Sequence, residues 1–223
     1  MIPTPDLSHL TKMDYNEVYE PAEDTFLLLD ALETDAESLK SSDPLICLEV
    51  GSGSGCVTAF IAKILGPSVL YLCTDINPHA CRCTRLTGLQ NEVDIQVVNG
   101  SLATPFRSRL ARRIDVILFN PPYVPTSEDE ASNAQNSRNI GGSWAGGVDG
   151  MEITNVLLRR IEELLSPIGR FYLVALKQNN VPRIMQTMKD EHSLTGKVVL
   201  QRRAGGEHLF VICFIRQDNV AQQ

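Results

Sequence analysis

Residues 117–125, "ILFNPPYVP", end an apolar run on an amide, two prolines and an aromatic ring. Prolines do not continue a strand, so Asn120, Pro121, Pro122 and Tyr123 are predicted to follow a strand directly. The side-chain oxygen of Asn120 and the main-chain carbonyl of Pro121 can each accept a hydrogen bond from a planar NH2 group. The prolines would fix both acceptors, and the ring of Tyr123 offers a flat face. The stretch therefore favours a site for a carboxamide or an exocyclic amine, and a simple strand stop is the alternative.

A glycine-rich loop, "LEVGSGSG", follows an earlier apolar run. Gly51, Gly53 and Gly55 have GxGxG spacing, whereas the fingerprint for pyrophosphate is GxGxxG. Glu49 precedes the loop, and a carboxylate there would repel phosphate but suit a cation. Asp75 ends the next predicted strand, where an acid accepts hydrogen bonds from ribose hydroxyls. Together these residues favour S-adenosylmethionine, which carries two positive charges and no phosphate. The alternative is a structural turn, with Asp75 capping a helix.

The two motifs together indicate methyl transfer to a flat NH2 group. The lone pair of such a nitrogen is delocalised, which makes it a poor nucleophile. Two hydrogen-bond acceptors would hold the nitrogen and favour the pyramidal geometry that the transition state needs. No strong general base is required, because the methylated nitrogen loses its proton readily.

The hydrophobic pattern predicts the elements that position these residues. Helices are expected at 20–39, 56–65, 77–90, 151–165 and 180–190, and strands at 44–50, 68–75, 94–98, 114–120, 169–176, 196–203 and 207–215, with a polar loop at 126–150. Alternating strands and helices predict a parallel sheet covered on both faces. Ligands in such sheets lie beyond the carboxyl ends of the strands, which places residues 49–55, Asp75, Ser101 and Asn120 along one rim.

Composition limits the class of protein. The chain has 223 residues and a net charge of −7, whereas a protein that mainly grips phosphates is usually basic. The basic run "RSRLARR" is interpreted as a solvated loop. We expect one α/β domain, no membrane span and no signal peptide.

Cysteine usage favours reduced, buried thiols, as in a cytoplasmic or nuclear protein. The cysteines are scattered, mostly within apolar runs: Cys47, Cys56, Cys73, Cys81, Cys83 and Cys213. The segment "HACRC" could suggest zinc, but no CxxC pair or second ligand cluster accompanies it. We therefore expect no metal in this chain.

The motifs "EVGSGSG", "TDINP", "FNPPY" and "WAGG" together resemble the HemK-like glutamine N5-methyltransferases. "VYEPAEDTFLLLDAL" resembles the eukaryotic and archaeal branch, which modifies the Gln of the GGQ motif in the class 1 release factor. The resemblance implies a Rossmann-like class I S-adenosylmethionine-dependent fold, with a mostly parallel seven-stranded sheet and an antiparallel C-terminal hairpin. It also implies an extension at 1–18, a methyltransferase domain at 19–216 and a tail at 217–223.

The same resemblance implies a role for individual residues. Asn120, Pro121, Pro122 and Tyr123 would hold the target amide. Ser101 stands where many family members have Asp against the adenine, and its hydroxyl can still accept a hydrogen bond. The residues expected to bind the cofactor are Thr25, Glu49, Gly51, Gly53, Gly55, Asp75, Ile76, Ser101 and Asn120.

The implied partners are proteins. Members of this branch work as heterodimers with a small zinc-binding activator subunit, and the class 1 release factor is the substrate. The strand "DIQVV" is predicted to lie at a sheet edge, and an uncovered edge favours pairing with a partner. Neither a membrane nor a nucleic acid is expected as a partner.

Three other functions remain open at this point. The first is an adenine-N6 methyltransferase of DNA or RNA, against which the acidic charge and the missing recognition domain argue. The second is methylation of histone lysine, which needs a base that the sequence does not place near Asn120. The third is a non-catalytic adaptor, which the intact motifs oppose.

Overall fold

Seven strands form one sheet in the order β3-β2-β1-β4-β5-β7-β6 in the computed structural model, which describes residues 1–127, 129, 140–143 and 145–216. Strands β1 to β5 run parallel, whereas β7 runs antiparallel to both β5 and β6. The strands are β1 Ile46–Val50, β2 Leu70–Asp75, β3 Ile95–Asn99, β4 Ile114–Phe119, β5 Leu165–Leu176, β6 Leu194–Ala204 and β7 Glu207–Arg216. This confirms the predicted sheet with its C-terminal hairpin, and β3 is an edge strand as expected.

Helices cover the two faces of the sheet. They are α1 Glu23–Thr34, α2 Ala36–Ser41, α3 Cys56–Leu65, α4 Pro78–Gln90, α5 Glu152–Leu164 and α6 Val181–His192. The central strand β4 has an unbroken apolar run at residues 116–119 after Asp115, and packing on both faces explains this run. Val116 and Leu118 pack into the core with α1 and α3, while Ile117 and Phe119 pack into the core with α5 and α6. Because successive side chains point to opposite faces, a stretch buried on both faces is apolar at every position, and the polar Asp115, near the start of the strand, is less buried.

The predicted helix at 20–39 is in fact two helices. The chain is extended at Ala22, so α1 begins at Glu23. At Asp35 the backbone leaves the helical region (φ −91°, ψ 5°), and its carboxylate accepts a 2.9 Å hydrogen bond from the hydroxyl of Tyr172. This long-range bond fixes the break between α1 and α2.

Strand β5 begins at Leu165 rather than at Gly169. Leu165 pairs with Ile114, and the ladder then shifts before Arg170 pairs with Val116. The sequence "SPIG" indicates a turn, but here it occupies an irregular part of the strand.

The predicted loop at 126–150 is partly described. A parallel bridge joins Val124 to Ala145, and residues Ile140–Ser143 form a short 3-10 helix. Residues 128, 130–139 and 144 of the loop and the tail at 217–223 lie outside the described residues.

The first eighteen residues begin against α1, where the N–H of Ile2 donates to Glu33, and then pack along α4. The backbone N–H of Asp6 donates to Asn91 (2.8 Å), and His9 shares a hydrogen bond with Thr87 (3.1 Å). Val18 is buried at the end of this segment. The N-terminal segment therefore brings residues 18 and 19 to the carboxyl ends of the strands.

All six cysteines are free, and only Cys81 is partly exposed. Among the described residues, no helix is long and apolar enough to cross a membrane, and no group of three or more His, Cys, Asp or Glu side chains could hold a metal ion.

Candidate active site

The glycine-rich loop leaves β1 and is fixed by its neighbours. The N–H of Gly51 donates to the carbonyl of Thr74 on β2 (2.8 Å). Gly53 has a φ of +52° and donates its N–H to Asp75 (2.9 Å), and this backbone conformation favours glycine. A Cβ on Gly55 would lie 2.8 Å from the Cα of Thr84, so glycine there lets α3 approach α4.

Asp75 holds the loop from the end of β2. Its Oδ2 accepts from the N–H of Gly53, and its Oδ1 accepts from the N–H of Asn77 (both 2.9 Å). Each carboxylate oxygen can accept a further hydrogen bond. Burial raises the pKa of Asp75, and the backbone donors partly oppose that rise. Ile76 and the exposed Ser101 border the cleft beside it.

Glu49 lies at the end of β1, 4% exposed. Its Oε2 accepts hydrogen bonds from the backbone N–H (3.0 Å) and the hydroxyl of Thr58 on α3. Burial raises the pKa of Glu49 to about 8, and the nearby charge of Asp75 adds to the rise. A cationic ligand in the cleft would offset this cost of ionisation.

Asn120 carries an unpaired acceptor. Its Nδ2 donates to Oδ2 of Asp24 (2.9 Å), while its Oδ1 is buried and has no hydrogen-bond partner among the described residues. A carboxylate only accepts, so the NH2 group must face Asp24 and the oxygen must point elsewhere. A buried polar atom without a partner is costly, which indicates that a ligand donor satisfies Oδ1.

Asp24 orients this amide from the first turn of α1. Its carboxylate also accepts from the hydroxyl of Tyr123 (2.8 Å), the hydroxyl of Tyr19 (3.1 Å) and the N–H of Thr25 (2.7 Å). The N-terminal end of a helix stabilises such a negative charge. Sequence analysis singled out Thr25 but missed Asp24, because an acid in the first turn of a helix is an ordinary capping feature.

Tyr123 lies behind the cleft wall. Its ring is buried, and its hydroxyl is directed to Asp24. Burial and the charge of Asp24 both raise the pKa of this phenol. Pro121 is buried nearby, whereas Pro122 lines the cleft. Tyr123 therefore braces the amide-binding segment from behind, and its flat face is not part of the lining.

Asn179, after β5, holds the same segment. Its Nδ2 donates to the carbonyls of Tyr123 (3.1 Å) and Asp149 (3.0 Å), and its Oδ1 accepts from the N–H of Leu176 (2.7 Å). A Cβ on Gly150 would overlap the carbonyl of Tyr123. Sequence analysis missed Asn179, since nothing local to it signals a contact so far along the chain.

A cleft lies at the carboxyl ends of the strands. Most of the predicted site residues line it together: Thr25, Glu49, Gly51, Gly53, Asp75, Ile76, Ser101, Asn120 and Pro122. Gly55, Pro121 and Tyr123 are outside the lining. Three carboxylates border it, those of Asp24, Glu49 and Asp75, and none of the described lining residues is Lys, Arg or His. The cleft therefore suits a cationic small molecule and disfavours a phosphate.

The sheet order and the position of the cleft define a Rossmann-like fold of the S-adenosylmethionine-dependent methyltransferases. A family model described as "Methyltransferase small domain" matches residues 23–137. The Mus musculus protein "Methyltransferase HEMK2" is 47% identical over 213 residues, which are 96% of each chain. The Schizosaccharomyces pombe protein "eRF1 methyltransferase catalytic subunit mtq2" is 36% identical over 229 residues, covering 98% of each chain.

A solved structure extends the similarity to three dimensions. The E. cuniculi Mtq2–Trm112 complex, described as responsible for methylation of the eRF1 translation termination factor, matches with a TM-score of 0.65. The identity is 27%, over 89% of this chain and 98% of that one. The chain belongs to the methyltransferase small domain family and, within it, to the HemK-like methyltransferases. The family expected from the sequence motifs is confirmed.

Proposed function

We propose that this chain methylates the N5 nitrogen of a glutamine side chain, with S-adenosylmethionine as the methyl donor. The proposed substrate is the GGQ motif of the class 1 release factor. The observation that carries the proposal is the unpaired Oδ1 of Asn120, fixed at the edge of an acid-lined cleft. The names of the S. pombe and E. cuniculi relatives support the release factor as the substrate.

The residues of the cleft fit this cofactor. The free acceptor positions of Asp75 suit the two ribose hydroxyls, and Glu49 suits an ammonium group. Ser101, exposed at the cleft, has a hydroxyl for the adenine edge. When bound, the cofactor supplies an electrophilic methyl group.

The protein's own contribution is to hold the glutamine amide. The Oδ1 of Asn120 is proposed to accept one N–H of the substrate amide. The sequence motif assigns the other N–H to the carbonyl of Pro121, although Pro121 is buried beside the cleft and is not part of its lining. Asp24 prevents the Asn120 amide from rotating, because its carboxylate accepts only from the Nδ2 side. A nitrogen held this way is oriented before the reaction, which lowers the entropic part of the barrier.

We further propose a small zinc-binding activator subunit as partner, docked on the edge strand β3. Strand β3 pairs only with β2 among the described strands, so its other edge is open to a partner. The E. cuniculi relative forms a complex with Trm112, which supports a partner of this kind. We also propose a cytoplasmic or nuclear location, which the free and mostly buried cysteines support.

The test incubates the chain, with and without the activator, with S-adenosylmethionine labelled in its methyl group. Three substrates are offered: the release factor, a histone tail and duplex DNA. We expect label on the release factor, on the glutamine of its GGQ motif by mass spectrometry, and none on a release factor whose motif glutamine is replaced by alanine. Exclusive labelling of duplex DNA or of a histone tail would overturn the proposal.

A further inference from the structure

A second groove lies between α6 and the β6–β7 hairpin. Its floor is apolar, formed by Val181 and Met185 from α6 and by Val198 and Phe210 from the two strands. Met185, Val198 and Phe210 are only partly buried, so aliphatic surface is open to a ligand. Burial of such surface is a favourable contribution to binding.

The rim of this groove is basic. Lys177, Lys189, Arg203 and His208 line it, and no Asp or Glu does so in the described part of the chain. Lys177 and Arg203 are exposed and form no ion pair with any described residue. In a protein with a net charge of −7 and an acid-lined catalytic cleft, this groove is a local region of opposite charge. It therefore suits an acidic ligand that also carries apolar groups.

The groove opens at the carboxyl end of β5, which is the same end of the sheet that carries the catalytic cleft. Lys177 directly follows β5, and two residues later Asn179 donates to the carbonyl of Tyr123 (3.1 Å). His208 lies at the start of β7, which is antiparallel to β5 and therefore begins beside the carboxyl end of β5. A polypeptide bound in the groove can thus continue towards Asn120.

We propose that this groove binds an acidic peptide segment, with interspersed apolar side chains, of the protein whose glutamine enters the cleft. The inference rests on the proposed function and adds a second contact surface for the same substrate. The mainly aliphatic floor favours peptide over nucleic acid, since bases stack on open aromatic faces. The ring of Phe210 is already paired with the imidazole of His208, with centroids 4.4 Å apart.

The experiment uses the full chain purified with its activator and the double variant Lys177→Glu/Arg203→Glu. The first probe is a fluorescein-labelled peptide rich in Glu and Leu, followed by fluorescence anisotropy. Two charge reversals at a solvent-exposed rim should weaken binding about tenfold and reduce its salt dependence. The KM for the release factor should rise by a similar factor while kcat stays unchanged.

The matched control is Arg109→Glu/Arg113→Glu, which makes the same charge change at exposed residues before β4. The control should bind the peptide as the wild type does. Equal losses in both double variants, or an unchanged affinity in the groove variant, overturn the inference. The inference is also overturned if an RNA oligonucleotide displaces the labelled peptide at a lower concentration than unlabelled peptide does. It is overturned as well if the chain self-associates and the groove variant abolishes that self-association.

The two proposals fail in different ways. If the wild type methylates no release factor, the proposed function fails, and the peptide-binding measurement still tests the groove. If the groove variant loses the peptide but keeps the KM for the release factor, the role in substrate binding is wrong although methylation stands.

Discussion

The two halves of the catalytic cleft are held together in different ways. On the cofactor half, Gly53 bonds to Asp75 and Glu49 bonds to Thr58 within one strand–helix–strand unit. The next helix, α4, adds hydroxyl donors from Thr84 and Thr87. On the amide half, Asn120 is held by Asp24, which lies 96 positions away in the chain. One half is a local motif, whereas the other forms only when distant elements pack.

The two halves should therefore respond differently to single substitutions. Backbone-to-backbone hydrogen bonds of Gly51 and Ser52 to Thr74 fix the glycine loop in addition to the carboxylate of Asp75, so the loop does not depend on a single side chain. The amide half depends on one carboxylate, because Asp24 orients Asn120 and also accepts from Tyr19 and Tyr123. Substitutions at the amide half should therefore lower turnover, while those at the cofactor half should lower cofactor affinity.

The largest effect is expected for Asn120→Ala. The substrate amide loses its preorganised acceptor, and kcat should fall by a factor on the order of 10²–10³, as for removal of one preorganised polar contact. Cofactor affinity, measured by calorimetry, should be mostly kept, because the glycine loop and Asp75 are unchanged. Equal turnover by variant and wild type would contradict the role given to Asn120.

A smaller loss, about 10- to 100-fold in kcat, is expected for Asp24→Ala, which leaves Asn120 free to rotate. Asp24→Asn keeps an acceptor oxygen and should recover part of the activity. A purely structural role predicts instead that kcat follows the folded fraction. Thermal melts beside the kinetics distinguish the two, and a loss of kcat that matches the unfolded fraction at the assay temperature would count against positioning.

Asp75→Ala tests the cofactor half. The ribose hydroxyls lose a charged acceptor, so the cofactor Kd should rise about tenfold or more, in line with the ~1.5–3 kcal/mol of a hydrogen bond to a charged group. The kcat at saturating cofactor should change less than in Asp24→Ala. An unchanged Kd by calorimetry would remove Asp75 from the cofactor site.

The sequence predicts the fold, and the positions of the glycine loop and Asp75 at the cleft, because these depend on local patterns. Strand and helix periodicity and the glycines at 51, 53 and 55 each act over a few residues. The bracing of the amide half could not be predicted in this way. Asp24 and Asn179 reach the segment around Asn120 from other elements of the fold, and each is unremarkable in its own neighbourhood.

The break at Asp35 and the early start of β5 have the same explanation. The bond from Tyr172 to Asp35 and the pairing of Leu165 with Ile114 are tertiary contacts, and they override what the local sequence favours. The direction of the Tyr123 ring is a further case. The motif places an aromatic ring at the site, but only the position of Asp24 shows that the hydroxyl is bonded to this carboxylate while the ring stays outside the cleft lining.

The smallest expected effect is a pH dependence of stability that comes from the cofactor half. In the cofactor-free protein, burial raises the pKa of Glu49 from its ordinary value of 4.5 to about 8. Between these pH values the folded chain keeps a proton on Glu49 that the unfolded chain has released. The unfolding free energy therefore falls as pH rises through this range, by on the order of 1–2 kcal/mol, since the carboxyl borders an open cleft.

Glu49→Gln should flatten this decline, because its amide stays neutral and keeps an oxygen for the N–H and hydroxyl of Thr58. Denaturant unfolding of both proteins at several pH values provides the measurement. The comparison must be between wild type and variant, because the raised pKa of Asp75 lowers stability in the same direction and remains in both. Parallel declines would mean that Glu49 is already ionised without a ligand. In that case Glu49 would be negatively charged even without the cofactor. The cofactor half would then differ from the amide half only in the sequence distance between its hydrogen-bonded residues.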